Sequence, residues 1–409
     1  MLCPFKYVDG YFTEDAGGNK TDKMVPPRFG LDKKLTWDDL WSAIDSRNKS
    51  GNPGTLYKVF FLARHGEGVH NLGPSSDDDV NNARGPDPHL TQEGLMEVIT
   101  VNAVWRTELQ NKMRFPTTSW CSPLTRCMET NTITFGRLQN VAPDDYTVPA
   151  TTLPKSLIVE KVRERCTHDK PQERLTKTFI HTVFPEYNFE DGFTEDDKMW
   201  TNDYDRAELH SDVQARAIEI LRRAFTDPNS GNFISITTHS GFIGDLLKII
   251  GHPAYTTHPA AVVPFVCSYT PASDHYLPFV CKIADSNDET LLLTVQNQTN
   301  DSPLIVKKCT DSGLLLHWYR WVLVPTVETG DGVQYTLVNE WTIDNHYYVT
   351  TWSKTADVQN GASTSSRVNG SANMLFYINP SGDNYNPPCH NLDECFRRQG
   401  RRRQRCQAG

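Results

Sequence analysis

Several things are scarce in this 409-residue chain. No apolar run approaches the roughly 18 residues that a membrane-crossing helix needs, so no membrane partner is expected. Basic charge is not in excess. The 41 Lys and Arg stand against 50 Asp and Glu, a formal net charge of -9, which argues against wholesale nucleic-acid binding. The 10 cysteines never form Cys-x-x-Cys pairs, so no zinc site is expected, and they read as reduced thiols. The opening MLCPFKYVDGYF lacks the basic flank and apolar core of a secretory leader. A cytoplasmic location is the expectation, and the Asn-x-Ser/Thr triplets at Asn19, Asn48, Asn297, Asn300 and Asn369 then read as chance matches.

What is present divides the chain. Its length suggests two domains. Residues 55–265 alternate apolar strand-like runs with helical patterns. LYKVFFLA and NFISITTHS read as buried strands. LTQEGLMEVITVNAVWRTEL predicts a helix with Leu95, Val98, Ile99 and Ala103 inward and Asn102 interrupting the stripe. DVQARAIEILRRAF puts Val213, Ala217, Ile220, Leu221 and Ala224 on one face, and GFIGDLLKIIG predicts a helix closed by Gly251. That alternation implies a mostly parallel sheet covered by helices, a three-layer α/β/α fold over residues 1–270. Past residue 275 the runs become short, aromatic and β-branched, in LLLTVQNQ, SPLIVKKC, LHWYRWVLVP, VQYTLVNEWT and HYYVTTW. A β-rich domain over 271–409 is expected, with a polar linker at 355–374 and a solvated basic tail in FRRQGRRRQRC.

The chemistry starts at FFLARHGEGVHN, where an apolar strand ends in Arg64 and His65. Ligands of α/β sheets sit at the carboxyl ends of strands. Gly66 and Gly68 would let backbone approach an anion closely. A second run, TSWCSPLTRCMETNT, brings Ser122, Arg126 and Thr130. A third, ISITTHSG, ends in His239 where a helix begins and its first amides favour anions. LIVEKVRERC supplies Glu160, Arg163 and Glu164. Two histidines, two arginines that can grip phosphate through paired N–H groups, and an acid make a phosphate pocket.

These motifs resemble those of the histidine phosphatase superfamily, the phosphoglycerate mutase-like fold. Arg64-His65-Gly66-Glu67 with Asn71 matches its opening signature. DPHLTQEG, SPLTRCMET, VRE and THSG match four further motifs, in the family's order. GYF, RFGL, Trp37 and VFPEYNF followed by Trp200 resemble a fungal and plant phosphomutase-like branch, across residues 8–265. The chain departs from that pattern in the acidic SSDDDVNN and in RCTHDKPQER after the acid, both expected at the substrate mouth.

The resemblance implies a phosphoric monoester hydrolase that needs no metal and no cofactor and acts on a small phosphorylated metabolite. His65 would be the nucleophile that becomes phosphohistidine. Arg64, Arg126 and His239 would neutralise the phosphoryl oxygens, and Glu164 would act as general acid and base. Glu160, four residues before, competes for that role if the segment is helical. Asn71, Ser122, Gly66, Glu67, His70 and Arg163 are expected around the substrate, with His168 and Arg174 as candidates for its remainder and Thr91 as a helix cap. The absence of a convincing basic segment around the acid, which a phosphoglycerate mutase uses to hold a carboxylate, favours hydrolysis over phosphomutase activity. A catalytically silent binding protein is the third reading. LHWYRWVLVP with GVQYTLVNEWT resembles a ricin-type β-trefoil repeat, which would imply a carbohydrate ligand; an unrelated β-sandwich or an accessory layer is the alternative.

Overall fold

The computed structural model describes residues 3–13, 25–50, 54–72, 85–136, 156–202 and 207–271, and eight short strands between 279 and 377. The acidic insertion SSDDDVNN and the basic tail lie outside the described residues. The chain divides into two compact units, one of 5–203 with 212–271, the other of 1–4, 204–211 and 272–409.

The first unit is built on one seven-stranded sheet. Its strands are β1 (Phe5–Val8), β2 (Leu56–Arg64), β3 (Thr118–Cys121), β4 (Leu157–Ile158), β5 (Asn188–Phe189), β6 (Phe233–Thr238) and β7 (Val262–Tyr269), in the order β1-β7-β2-β6-β3-β4-β5. β2, β6, β3, β4 and β5 run parallel, while β7 and β1 close one side antiparallel. The mostly parallel α/β sheet expected from the alternation is therefore what forms. The helices are α1 (Trp37–Ser50), α2 (Gln92–Gln110), α3 (Thr125–Phe135), α4 (Lys177–Val183), α5 (His210–Thr226) and α6 (Ser240–Ile250).

Neighbouring residues of β2 face opposite ways, as a pleated strand requires. Phe61 packs against Phe29, Trp37 and Trp105, with ring centroids 5.2, 6.4 and 5.6 Å apart. Phe60 packs against Phe265 at 5.2 Å and Phe225 of α5 at 6.0 Å. Both faces of the strand are thus covered, which explains its unbroken apolar run. The α5 stripe, Val213 to Ala224, is buried as expected. In α2 the inward stripe is Val98, Val101, Trp105 and Leu109, while Ile99 is 49% exposed. Trp105, the largest apolar side chain available, sets that rotation. Asn102 donates its amide to the carbonyls of Ile133, Thr134 and Gly136, closing the end of α3, so the polar break in the stripe is a cap for a neighbouring helix.

In the second unit, Trp321–Thr329 pairs antiparallel with Gly332–Asn339 and with Phe279–Cys281, and Leu304–Lys308 pairs with Leu291–Val295. The region expected as a polar linker contributes a short strand, Ser363–Ser366, paired with Tyr347–Thr350. The aromatic part of the trefoil-like segment at 316–320 and its companion lobes fall largely outside the described residues.

Candidate active site

The carboxyl ends of β2, β3 and β6 deliver the predicted residues to one place. β2 ends at Arg64, and His65 continues it by hydrogen bonds from its own amide to the Thr238 carbonyl, 3.1 Å, and from the Ala260 amide to its carbonyl, 2.9 Å. His239, just past β6, is the residue before α6, and its ring centroid lies 5.1 Å from that of His65. Arg126 is on the first turn of α3, one short loop beyond β3. All three are buried, Arg126 and His239 at 0% exposure.

His65 has a defined tautomer. Its Nδ1 lies 2.6 Å from the Gly66 carbonyl, which can only accept, so Nδ1 carries the proton and Nε2 keeps its lone pair. Burial first, and then the Arg126 charge, hold the imidazole well below its ordinary pKa. His239 is depressed for the same reasons, and its Nε2 lies 2.9 Å from Ser122 Oγ and 3.3 Å from Cys127 Sγ. His70, half-buried, has its ring 5.4 Å from that of His65. Burial, with Arg126 and Arg64 next, brings its pKa down to about 3.

The pocket holds buried donors with nothing to donate to. Arg64 donates from Nη1 to the Thr257 carbonyl, 2.8 Å, but its Nε has no partner among the described residues. The same holds for Arg126 Nε and His70 Nδ1. Unsatisfied buried N–H groups are costly, and those of Arg64 and Arg126, whose charges both act on the His65 imidazole, fit an oxyanion. Glu164 is fixed by two main-chain amides. Its Oε2 accepts from the Gly241 amide at the start of α6, 3.3 Å, and its Oε1 from the Arg165 amide, 3.0 Å. Its charge acts favourably on both Arg64 and Arg126. Among the described residues no group of three or more His, Cys, Asp or Glu is placed to hold a metal ion.

Other predicted residues serve the frame. Glu160–Val162 is a single 3-10 turn, and Arg163 after it is extended, so Glu160 and Glu164 do not share a helical face. Glu160 instead binds Arg163, 2.7 Å, and Arg174, 2.9 Å. Arg163 is wholly buried and held by Asp197 through two contacts of 2.8 Å, so it is a strut and not the substrate contact expected of it. Arg174 is likewise committed, to Glu160 and to the carbonyls of Leu175, Thr194, Glu195 and Asp196. His168 lies 3.6 Å from the Asp169 carboxylate. Glu67 accepts from Thr91 Oγ1, 2.8 Å, while Thr91 caps α2 as expected by accepting from the Gly94 amide. Asn71 is exposed and closes a turn by accepting from the Gly68 amide, 3.0 Å. The two glycines are needed for packing: a Cβ on Gly66 would lie 2.6 Å from the Gly94 carbonyl, and one on Gly68 2.6 Å from the His70 ring.

Two residues of the matched motifs, Thr130 and Asp87, gain a role from the structure, and a third participant, Thr257, carries no sequence signal. Thr130 Oγ1 accepts from the Gly66 amide, 3.1 Å; its place in the motif was visible, its bond was not. The buried Asp87 accepts from the Thr125 amide and hydroxyl, 2.7 and 2.8 Å, and so caps the helix that carries Arg126. Thr257 gives only a main-chain oxygen, for which no side-chain pattern exists.

No family model matches the chain. It is similar to a probable phosphoglycerate mutase of Arthroderma benhamiae, 29% identical over 298 residues that cover 66% of this chain and 86% of the relative. It is similar also to phosphomutase-like protein 3 of Candida albicans, 31% identical over 252 residues, 58% of this chain and 71% of the relative. Among solved structures, a mycobacterial glucosyl-3-phosphoglycerate phosphatase matches over 51% of this chain and 90% of its own, with 17% identity and a TM-score of 0.31.

Proposed function

Because the chain belongs to the histidine phosphatase superfamily, among its phosphoglycerate mutase-like proteins, we propose that it hydrolyses a small-molecule phosphate monoester through a phosphohistidine at His65, without a metal. The observation that carries this reading is the 2.6 Å contact of His65 Nδ1 with the Gly66 carbonyl, which leaves Nε2 unprotonated beside two arginines with unpartnered donors.

In the first step Nε2 of His65 attacks phosphorus. The Nε2–P bond forms, the P–O ester bond breaks, and protonated Glu164 gives its proton to the departing oxygen. Arg64, Arg126 and His239 hold the equatorial oxygens as charge spreads over them. In the second step the Glu164 carboxylate takes a proton from water, whose oxygen attacks phosphorus. The Nε2–P bond breaks, inorganic phosphate leaves, and Glu164 is again protonated.

Hydrolysis is favoured over phosphomutase activity because two of the basic residues near the acid motif are occupied. Arg163 and Arg174 are neutralised by Glu160 and Asp197, and so do not offer themselves to a substrate carboxylate. The names of the relatives favour the second reading, a mutase. One experiment separates the two. Labelled 3-phosphoglycerate and p-nitrophenyl phosphate are each supplied in the presence of EDTA, the reaction is quenched, and products are resolved. Inorganic phosphate from either ester, with acid-labile label on the wild type and none on His65→Ala, is expected. Transfer of label to another hydroxyl with little free phosphate would make the protein a mutase. Label persisting on His65→Ala would remove His65 from the role.

A further inference from the structure

The segment RCTHDKPQER, where the sequence leaves the family pattern, forms a wall of the pocket that the mechanism above does not use. Lys170–Gln172 is one 3-10 turn, held from both sides. On one side Arg163 donates from Nη2 to the Gln172 carbonyl, and Trp200 donates from Nε1 to the Asp169 carbonyl, 3.0 Å. On the other side Arg126 donates from Nη1 to the Pro171 carbonyl, 3.0 Å, and from Nη2 to Gln172 Oε1, 3.3 Å.

Two wholly buried arginines therefore meet on one turn and are treated in opposite ways. Arg163 faces the carboxylates of Asp197 and Glu160 at 2.8 and 2.7 Å, which neutralise it. Arg126 receives only neutral acceptors, a main-chain carbonyl and a side-chain amide, while the Nε of both arginines is without a partner among the described residues. Neutral acceptors orient a guanidinium plane and leave its full charge available to a ligand; a carboxylate would spend it.

We propose that Gln172 is a positioning residue for phosphate binding: its amide fixes the plane of Arg126 from the outside, so that Nε–H and the remaining terminal hydrogens face the phosphoryl oxygens. The proposal rests on the reading of Arg126 as a phosphate ligand. The charged groups around the amide are Arg126 on α3, Arg163 and Glu160 beside the acid motif, Arg174 after the turn and Asp197 before Trp200, with Asp87 and Glu164 within electrostatic reach of Arg126.

The test uses the full chain and the inhibition constant of inorganic phosphate against p-nitrophenyl phosphate turnover, from pH 7 to pH 4, each variant expressed as a ratio to wild type. Gln172→Ala should weaken phosphate binding about 3- to 10-fold with a ratio that does not change with pH. Gln172→Glu places a carboxylate on Arg126. It should weaken binding by about 10-fold or more at pH 7, and because the Arg126 charge favours the carboxylate, the ratio should begin to narrow only below the ordinary glutamic acid value of about 4.3. Thermal midpoints within a few degrees of wild type would assign these effects to the pocket. A Gln172→Glu ratio at pH 7 no greater than that of Gln172→Ala overturns the positioning role while leaving the phosphatase reading intact. A wild type that binds no phosphate overturns both.

Discussion

Three imidazoles share this pocket, and burial together with the Arg126 charge keeps all of them neutral at ordinary pH. A neutral nucleophile is ready without a deprotonation step. The acid limb of kcat/KM is therefore expected well below the histidine value of about 6.5, and a pH profile that halves near 6.5 would contradict it. Stability carries the same signature. With folded values depressed, the unfolded chain takes up protons that the native chain does not, so the three histidines should make the melting temperature fall as the pH drops below about 6.5. Asp87 works the other way: burial raises it to about 6, so its contribution is present in acid and lost as the pH rises through that value. The two acids of the VRE region also separate at this scale. Glu164→Gln should slow an alkyl phosphate by roughly 10²- to 10⁴-fold and p-nitrophenyl phosphate far less, because a good leaving group needs little protonation. Glu160→Gln should instead lower unfolding free energy by about 1–3 kcal/mol, since it weakens the hold on two buried arginines; a leaving-group dependence in that variant would reverse the assignment.

At the level of elements, the strands and the α5 stripe were legible because a buried strand and an amphipathic helix write their burial into local period. The residues that strand ends display, Arg64, His65 and His239, were legible for the same reason. The acid motif was not. Glu160 and Glu164 look like residues of one helical face, yet β4 ends only two residues before Glu160 and the chain makes one tight turn before Arg163 extends, where Asp197 some thirty residues on holds it. The rotation of α2 was missed because Ile99 and Trp105 compete for the core and size decides. One contact between elements gives a direct check. A Cβ added at Gly241, on the first turn of α6, would lie 2.2 Å from Glu164 Oε1. Alanine suits a helix, so Gly241→Ala should fold, yet displace the acid. Its leaving-group dependence should match that of Glu164→Gln, and a wild-type ratio would place Glu164 elsewhere in the reaction.

Across the whole molecule, every group assigned to phosphate chemistry falls within the unit formed by 5–203 and 212–271. A chain ending at Pro271 is accordingly expected to keep p-nitrophenyl phosphate turnover within about threefold, the range of a weak packing effect on the barrier; loss of all turnover in a folded truncation would assign the remainder a part in the site. No helix among the described residues is long and apolar enough to cross a membrane. The long-range ties between the pieces were invisible in the sequence, because carbonyls carry no letter. Yet those ties hold His65 and Arg64: the Thr238 carbonyl and Ala260 amide on His65, the Ala261 carbonyl on the Arg64 amide, and the Thr257 carbonyl on the Arg64 guanidinium. Bonds made by the main chain are indifferent to which side chain the residue bears. Ala261 can therefore be exchanged over evolutionary time without moving the imidazole, whereas Ala260, buried at a left-handed φ of 54°, admits few replacements, and Gln172 and Glu164, in the roles proposed for them, act through side chains and admit fewer. A lineage built this way can rewrite the rim of its pocket, and with it its substrate, while inheriting the centre unchanged.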